Sequence, residues 1–291
     1  MKKKVRILLV AMLLFAMLSA LVVSAMAEDD VVSGTWGDLT WTLNRTTDKL
    51  TISGNGNMDP FTESSKDAWR AYHSEIKTVT IDPGVTSIGD YAFFFCYNMA
   101  SITIPEGVTS IGRNAFDTCG TLWSITIPGS VNHVGVSAFH DCSGLIQVEN
   151  GVTYVDRWVI DCRPALSSVS LRGNTVGIAD YAFSDCKMIA IAMNGRVTSI
   201  GNWAFYGCKN LKNIMLQDSV TSIGNGAFYG CNNLEKITIP NSVKKIGYDA
   251  FRSCSSLTDV YYMGSEADFS NIANDNFKEV TIHYNYVSGE E

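Results

Sequence analysis

One stretch of the chain, from Val197 to Ser242, contains the same sequence pattern twice in succession. The first copy reads VTSIGNWAFYGCKNLKNIMLQDS and the second reads VTSIGNGAFYGCNNLEKITIPNS, with 15 identities over 23 aligned positions. Self-similarity at a fixed period of roughly 20–50 residues is typical of solenoids, in which each coil buries its apolar face against its neighbours. The repeat therefore predicts a solenoid rather than a fold built around one central core.

The same pattern extends over residues 76–262, where apolar residues recur at positions p, p+3 and p+5 of each repeat. The last two alternate with a polar residue, which predicts one short strand per coil with its apolar side chains pointing inward. We expect these strands to stack into one parallel sheet. About nine coils result, of which one, at 151–172, is degenerate. Coils one to nine start at Ile76, Met99, Leu122, Leu145, Leu166, Met188, Leu211, Leu234 and Leu257.

Most coils also contain an Ala-Phe pair, with a cysteine three residues after the phenylalanine. We expect the pair to fill the interior of the coil. An even number of cysteines in an exported chain is compatible with disulfides, but the regular spacing favours a small buried plug in each coil. We therefore predict reduced thiols. Seven of the eight cysteines occupy this position: Cys96, Cys119, Cys142, Cys186, Cys208, Cys231 and Cys254.

The chain begins with the features of an export signal. Four cations among the first six residues precede the apolar run 7–23, and the Ala-Met-Ala sequence at 25–27 fits a cleavage site. Residues 1–27 are therefore predicted to be a signal peptide, and an uncleaved membrane anchor is the alternative. Cleavage would take the formal net charge from −7 to −11, which makes nucleic acid a poor partner. We expect the protein outside the cell or at its surface.

Both ends of the array carry segments that we interpret as caps, because a solenoid must cover the apolar face of its terminal coils. Within the N-terminal cap, 28–75, the alternating segments 39–43 and 49–54 predict a β-hairpin, and apolar spacing predicts a helix over 64–74. Within the C-terminal cap, 263–291, Ser265 and Asp268 fit a capping box at the start of a short helix.

The combined motif LxxIxIPxxVxxIGxxAFxxCxx, repeated from Ile76 to Tyr262, resembles the BspA-like class of leucine-rich repeats found in bacterial surface proteins. The resemblance implies an α/β solenoid that is right-handed and curved, with the parallel sheet on its concave face. It also implies an exported protein engaged in adhesion or in another interaction with a host or partner. It implies no family-wide binding residues.

Residues with the potential for catalysis are few. His140-Asp141-Cys142 places imidazole, carboxylate and thiol side by side, but Cys142 occupies the plug position and its six counterparts lack an adjacent histidine. The sequence contains no CxxC pair, HExxH motif, phosphate loop or EF-hand spacing. We predict no catalytic, metal or cofactor site, and a hydrolase is the least favoured interpretation.

Two rows of outward-facing residues are candidate binding surfaces. The row at position p+4 is rich in threonine in the early coils and turns apolar or aromatic in the later ones, whereas the row directly after the Ala-Phe pair contains tyrosine and arginine. Such exposed side chains are common anchors for partners. We predict recognition of a protein or a glycan; a passive component of a surface layer is the alternative. The candidates are Ala192, Met215 and Tyr261 in the first row and Tyr206, Tyr229 and Arg252 in the second.

Overall fold

The computed structural model describes residues 30–193, 196–273, 277 and 280–287. The predicted signal peptide lies outside these residues. Within them, no helix combines the length and the apolar character needed to cross a membrane.

Most regular coils contribute two short strands, not the single strand predicted, and in coil three the first strand is reduced to a bridge between Ser124 and Ser101. The second strand is formed by the VTSIG segment, where serine and isoleucine pair with their counterparts in the next coil, as in Ser222 with Lys245 and Ile223 with Ile246. Two-residue strands are too short to show an alternating pattern in the sequence. The strands are β1 (Val31–Trp36), β2 (Leu39–Asn44), β3 (Lys49–Gly54), β4 (Gly56–Asn57), β5 (Thr78–Ile81), β6 (Val85–Ile88), β7 (Ser101–Thr103), β8 (Ser110–Ile111), β9 (His133–Val134), β10 (Gln147–Glu149), β11 (Val152–Val155), β12 (Trp158–Cys162), β13 (Ser168–Ser170), β14 (Gly177–Ile178), β15 (Ala190–Ala192), β16 (Ser199–Ile200), β17 (Asn213–Met215), β18 (Ser222–Ile223), β19 (Lys236–Ile239), β20 (Lys245–Ile246), β21 (Asp259–Tyr262) and β22 (Thr281–His283).

The strands stack into two ladders that run the length of the array. The first-strand ladder consists of β3-β5-β7, then β13-β15, then β17-β19-β21-β22. The second-strand ladder consists of β4-β6-β8-β9 and then β12-β14-β16-β18-β20. All these pairings are parallel, which confirms the stacked coils. The prediction of one parallel sheet is wrong, because both ladders are interrupted. The first-strand ladder breaks after β7 and again between β15 and β17, and the second-strand ladder breaks between β9 and β12.

The Ala-Phe pairs form the core, as predicted. Their phenylalanine rings are buried and stack in consecutive coils with centroids 5.0–5.3 Å apart, in two columns on either side of coil four. Stacked rings add about 0.5–1.5 kcal/mol per pair beyond the area they bury. The columns contain Phe93, Phe116 and Phe139, and then Phe183, Phe205, Phe228 and Phe251.

The cysteines form a parallel column of plugs. All eight are free thiols, and all but the half-buried Cys254 are buried. Five thiols each donate to the carbonyl oxygen of the phenylalanine in the preceding coil, at 2.8–3.2 Å. The thiol therefore adds a second hydrogen bond to a phenylalanine carbonyl that already accepts one from a backbone N–H. The donors are Cys119, Cys142, Cys208, Cys231 and Cys254.

The N-terminal cap confirms the predicted hairpin and contradicts the predicted helix. Strands β2 and β3 pair antiparallel, β1 adds a third strand, and β3 continues into the first-strand ladder by pairing with β5. In place of a helix over 64–74, only a 3-10 helix at Ala68–Tyr72 forms. Asp67 makes no side-chain cap, and Ala68 has a φ of 49°, so an α-helix cannot begin there. Trp69 is instead buried, donating to the carbonyl of Ala92 at 2.8 Å.

The C-terminal cap confirms the capping box. Helix α1 (Glu266–Ser270) begins after Ser265, whose hydroxyl accepts a hydrogen bond from the backbone N–H of Asp268 at 3.2 Å. Together with the 3-10 helix, it gives very little helix within the described ranges. The molecule is therefore a β-solenoid, and the expected α/β character is not confirmed. The handedness of the array and the concave position of the first-strand ladder stay predictions.

Coil four is replaced by three antiparallel strands, which we call the excursion. Strands β10, β11 and β12 pair antiparallel in sequence order, with a turn at Asp156-Arg157. In the segment 152–162 the polar pair Asp156-Arg157 separates two mainly apolar stretches, which favours a hairpin over a further coil. Strand β12 then rejoins the second-strand ladder by pairing parallel with β14. The hairpin also contacts coil three, where Asp156 accepts from the backbone N–H of Ile127 at 3.0 Å.

Candidate functional site

The first candidate row lies on the first-strand ladder, as the sequence predicts. Met215, Thr238 and Tyr261 are register partners in consecutive strands. Ala192 is exposed, and Met215 is 51% exposed. Tyr261, however, is only half-exposed, because its ring stacks on His283 of the C-terminal cap with centroids 4.6 Å apart.

The second candidate row lies on the turn that follows the Ala-Phe pairs. Tyr206 and Tyr229 belong to consecutive coils, and their rings stack with centroids 5.7 Å apart and an interplanar angle of 25°. Tyr206 is 36% exposed, and Tyr229 is half-buried. Arg252, one coil further, is exposed and pairs with Asp249 at 3.3 Å. The structure therefore brings the two tyrosines together and leaves the arginine bound to its own turn.

Two aromatic residues that the sequence analysis missed join this row. Trp203 contacts Tyr206 edge-on at 5.7 Å and Tyr229 at 5.5 Å, and Tyr181 stacks on Trp203 at 6.2 Å. We call Tyr181, Trp203, Tyr206 and Tyr229 the aromatic cluster. Trp203 and Tyr181 directly precede the Ala-Phe pair, outside the two rows predicted to face outward. The signal was present, because Trp203 aligns with Gly226 between two otherwise similar copies.

The aromatic cluster, and not the backbone conformation, leaves no room for a side chain at Gly226. The residue before each Ala-Phe pair has a positive φ, at 50–60° even where it is Asn114, Ser137 or Trp203. Side chains are therefore tolerated in this conformation in other coils. At Gly226 an added Cβ would lie 2.5 Å from Cζ3 of Trp203, a distance that real Cβ atoms do not show. The tryptophan ring thus occupies the place of the missing side chain.

A comparable aromatic group near the N-terminal end is covered at Phe94 but not at Phe95, which is 44% exposed. Phe94 contacts Tyr91 at 5.4 Å and Phe95 at 4.5 Å. The guanidinium of Arg70 lies 5.1 Å above the Phe94 ring and also donates to the Phe94 carbonyl, so Phe94 is only 8% exposed. Phe94 therefore packs against the N-terminal cap, whereas no arginine or lysine among the described residues lies over a ring of the aromatic cluster in this way.

The His140-Asp141-Cys142 segment does not form a nucleophile pair. Nδ1 of His140 lies 3.1 Å from a carboxylate oxygen of Asp117 and 3.6 Å from one of Asp141. The Cys142 thiol is buried and donates to the Phe116 carbonyl at 2.8 Å. A base that activates a thiol must lie within hydrogen-bond reach of it. Here the imidazole is paired with carboxylates and the thiol with the backbone.

Comparison with known proteins gives one family match and a set of similar folds. The family described as BspA type leucine rich repeat region matches residues 66–190 and 176–289, with six copies. No curated protein matches the chain.

Three solved structures illustrate the similarity. A leucine-rich repeat protein from Eubacterium ventriosum is 22% identical, with 88% of this chain and 85% of that chain covered and a TM-score of 0.40. A leucine rich cell surface protein from Faecalibacterium prausnitzii is 22% identical, with 86% and 99% covered and a TM-score of 0.41. The pneumococcal vaccine antigen PcpA is 20% identical, with 72% and 63% covered and a TM-score of 0.40.

The family match spans well over half of the chain and coincides with the stacked coils and their Ala-Phe core. The chain belongs to the BspA-type leucine-rich repeat family.

Proposed function

We propose that this protein is an exported, non-catalytic recognition protein that binds a protein or glycan partner at or beyond the cell surface. The binding face is the turn surface of coils five to eight, which carries the aromatic cluster and Arg252. One observation carries the proposal. Four large rings contact one another outside the phenylalanine core, and two of them, Tyr181 and Tyr206, are 41% and 36% exposed.

The cluster is held rigidly. The backbone N–H of Gly207 donates to the carbonyl of Tyr229 at 2.9 Å, and that of Phe205 donates to Ala227 at 2.7 Å. Such bonds fix each turn on its neighbour, so little conformational entropy is lost when a partner docks. Tyrosine, tryptophan and arginine are also the side chains most often found at binding hot spots.

Export rests on the sequence of residues 1–27, and the formal charge of −7 argues against a nucleic-acid partner. The protein would meet a membrane only through the signal segment, if that segment were not cleaved. The first-strand ladder is the second candidate face, because Met215 on it is 51% exposed and Ile189, directly before β15, is 48% exposed.

The proposal is tested with the purified protein on arrays of extracellular-matrix proteins and glycans. We expect Tyr206→Ala combined with Tyr229→Ala to weaken binding about thirtyfold, which corresponds to about 2 kcal/mol. The matched control combines Thr80→Ala with Thr103→Ala on the first-strand ladder of coils one and two. Loss of binding in Met215→Ala, with the tyrosine variant unaffected, would transfer the site to the first-strand ladder. Full binding by every variant would contradict both faces.

A further inference from the structure

The turns that carry the Ala-Phe pairs form a third set of hydrogen bonds along the solenoid, which we call the turn ladder. In each turn three alternate residues donate their backbone N–H to the next coil: the residue before the pair, the phenylalanine, and the residue two positions after it. In coil two these are Asn114, Phe116 and Thr118, which donate to carbonyls of coil three at 2.8–3.1 Å. The same three bonds join coils one and two, five and six, six and seven, and seven and eight.

The turn ladder is interrupted between coil three and coil five. At the equivalent positions of coil three, the backbone N–H groups of Ser137, Phe139 and Asp141 donate to no acceptor among the described residues. The carbonyls of coil five that would accept from a preceding turn have no donor within the described ranges either. They belong to Asp180, Ala182 and Ser184. The cause is the excursion, because its strand β12 enters the second-strand ladder and supplies no turn between these two coils.

At the N-terminal end of the array, the fold covers the equivalent carbonyls of coil one. There the N-terminal cap supplies one donor to each of them: the backbone N–H of Phe61, the indole N–H of Trp69 and the guanidinium of Arg70. Backbone polar groups that lose contact with water need such partners. The unpaired groups of coils three and five therefore stand out as a place where a partner can supply the missing hydrogen bonds.

A cavity of about 360 Å³ lies between the two interrupted turns. Ser137, Phe139 and Asp141 line one side of it, and Asp180 and Tyr181 line the other. In the regular coils the corresponding N–H groups point along the array toward the next turn, so those of coil three point across this cavity toward coil five. Its volume lies in the range typical of ligand sites. Residues of coil four complete the lining: Ile146, Thr153, Ile160 and Asp161.

We propose that this cavity binds a short peptide segment of a protein partner, whose backbone takes the place of the turn that coil four does not supply. A peptide unit has a carbonyl at one end and an N–H at the other. One unit can therefore accept from coil three and donate to coil five, as the peptide units of the regular turns do. Because alternate units of an extended segment point the same way, more than one can pair at once. Such main-chain pairing gives affinity, and the side chains give specificity.

The lining indicates which side chains the segment carries. Asp141 and Asp161 are exposed carboxylates, which favour lysine or arginine in the peptide. Ile146 and Ile160 are half-buried and offer apolar contact beside them. Tyr181 belongs both to this lining and to the aromatic cluster, so the cavity is continuous with the proposed binding face. The inference therefore goes beyond the proposed function by adding a second site and by selecting a protein as its partner.

The first measurement is amide hydrogen exchange of the full mature chain, followed residue by residue with NMR. In the free protein we expect the N–H groups of Ser137, Phe139 and Asp141 to exchange at least about tenfold faster than those at the equivalent positions of coil two, which are paired. Equal protection in the two coils would show that the turn of coil three is already paired, and would overturn the inference.

The second measurement uses a probe for the peptide itself: a synthetic library of acetylated heptapeptides with lysine at both ends and random residues between them. We expect peptides that bind the immobilised wild-type protein and slow the exchange of the three N–H groups of coil three. Methylation of a peptide nitrogen that donates to coil five should weaken binding about tenfold, the effect of one lost hydrogen bond. Methylation of the neighbouring nitrogens should leave binding unchanged.

A variant that fills the cavity provides the test from the side of the protein. Trp203 occupies the same turn position in coil six as Ser137 does in coil three, with the same φ of 55°, and its ring lies over the next coil. Ser137→Trp should therefore place an indole in the cavity and weaken peptide binding at least about tenfold. The matched control is Asp249→Trp, at the same position of coil eight, which should bind as the wild type does. Melting temperatures show whether both variants fold.

Several results would overturn the inference. These are a library that enriches no peptide on the wild type over Ser137→Trp, or a bound peptide that leaves the N–H groups of coil three exchanging freely. A wild-type dimer that Ser137→Trp dissociates would identify a second copy of the chain as the occupant, and would also overturn it.

The variant that combines Tyr206→Ala with Tyr229→Ala separates this site from the proposed function, because it leaves the cavity lining intact and should retain the peptide. Loss of the peptide in that variant, with Ser137→Trp unaffected, would move the peptide to the aromatic cluster and remove the inference alone. Peptide bound in the cavity, with matrix arrays insensitive to the tyrosine variant, would keep the inference and remove the proposed binding face.

Discussion

Ser199 donates its hydroxyl to the backbone carbonyl of Asn132 at 2.6 Å, although the two residues lie 67 positions apart. Coil three is thus in direct contact with coil six. The backbone N–H of Asp180 in coil five also donates to Val134 at 3.0 Å, and His133 approaches the Asp180 carboxylate at 3.6 Å. The excursion in coil four therefore lets the second-strand ladders of the two halves meet directly.

This contact predicts a cost for removing one hydroxyl. Ser199 is 5% exposed, and Ser199→Ala would remove the side-chain donor to the Asn132 carbonyl, so we expect a loss of about 1 kcal/mol in the free energy of unfolding. Denaturant titration measures it. Ser110→Ala is the control, because Ser110 occupies the same repeat position and makes no side-chain hydrogen bond to any described residue. Equal stability of both variants would show that the contact does not join the halves.

Removal of one core ring should be costly. Phe228 is fully buried and stacks on Phe205 at 5.0 Å and on Phe251 at 5.2 Å. Phe228→Ala is expected to destabilise the protein by about 3–5 kcal/mol. Tyr248→Ala, at a residue that is 78% exposed, should change stability by less than about 0.5 kcal/mol in the same denaturation experiment. Similar small effects for both would contradict a core built on the Ala-Phe pairs.

The fit of Trp203 over Gly226 can be measured separately from backbone strain. Gly226→Ala introduces a Cβ into the tryptophan ring, whereas Gly230→Ala introduces one at a similar φ where the nearest atom is 3.8 Å away. Overpacking typically costs about 1–3 kcal/mol, and we expect this difference between the two variants. Tryptophan fluorescence should shift only in Gly226→Ala. Matching stabilities and spectra would refute the packing described for Trp203.

The cysteine column should resist alkylation in the folded protein. Burial raises the pKa of the Cys96 and Cys208 thiols from an ordinary 9.0 to about 12. Iodoacetamide reacts with thiolates, and a pKa of about 12 leaves only about 1% of each thiol ionised at pH 10, so labelling of these two cysteines should stay far below that of the unfolded protein between pH 7 and pH 10. Mass spectrometry should find label first on the half-buried Cys254, and eight free thiols after unfolding. Recovery of disulfides from the unfolded protein would contradict the reduced column.

The same shift links stability to pH. Because the folded pKa of Cys96 and Cys208 lies above the unfolded value, the unfolded chain releases protons first as pH rises. Their contribution is fully present below pH 9 and is lost as pH rises through about 12. The free energy of unfolding should therefore fall in this range, more steeply than in a variant with Cys96→Ala and Cys208→Ala.

Cleavage of the signal segment predicts a mature amino terminus at or near Glu28. Amino-terminal sequencing of protein recovered outside the cytoplasm tests it, and the intact precursor provides the size control. Membrane-bound protein that retains Met1 would identify residues 1–27 as an anchor.

The repeat made the stacked coils, the phenylalanine core and the register of the first-strand ladder predictable, because each depends on contacts that recur every 23 or so residues. The hairpin of 39–54 and the capping box at Ser265 were predictable from local patterns alone. The second strand was not, since most of these strands are only two residues long and too short to show an alternating pattern. The contact between Asn132 and Ser199 depends on the antiparallel strands that replace coil four, and the periodic pattern does not predict these strands.

The aromatic cluster was half predictable. Tyr206 and Tyr229 follow the Ala-Phe pair in near-identical copies, so their adjacency follows from the repeat. Trp203 joins the cluster because its ring packs over Gly226 of the next coil. This packing cannot be read from the repeat pattern. The half-burial of Tyr261 likewise depends on His283, in a strand beyond the regular repeats.

Because residues 197–219 and 220–242 are nearly identical, the array could be lengthened by inserting further copies of this repeat. A further copy inserted after Ser242 would add one rung to each ladder, leave the contact between Asn132 and Ser199 untouched, and place another tyrosine between Tyr229 and Arg252. Coil number would then set the valency of the surface. A repetitive partner would be held with an avidity that rises with each added ring, although every single contact stayed weak.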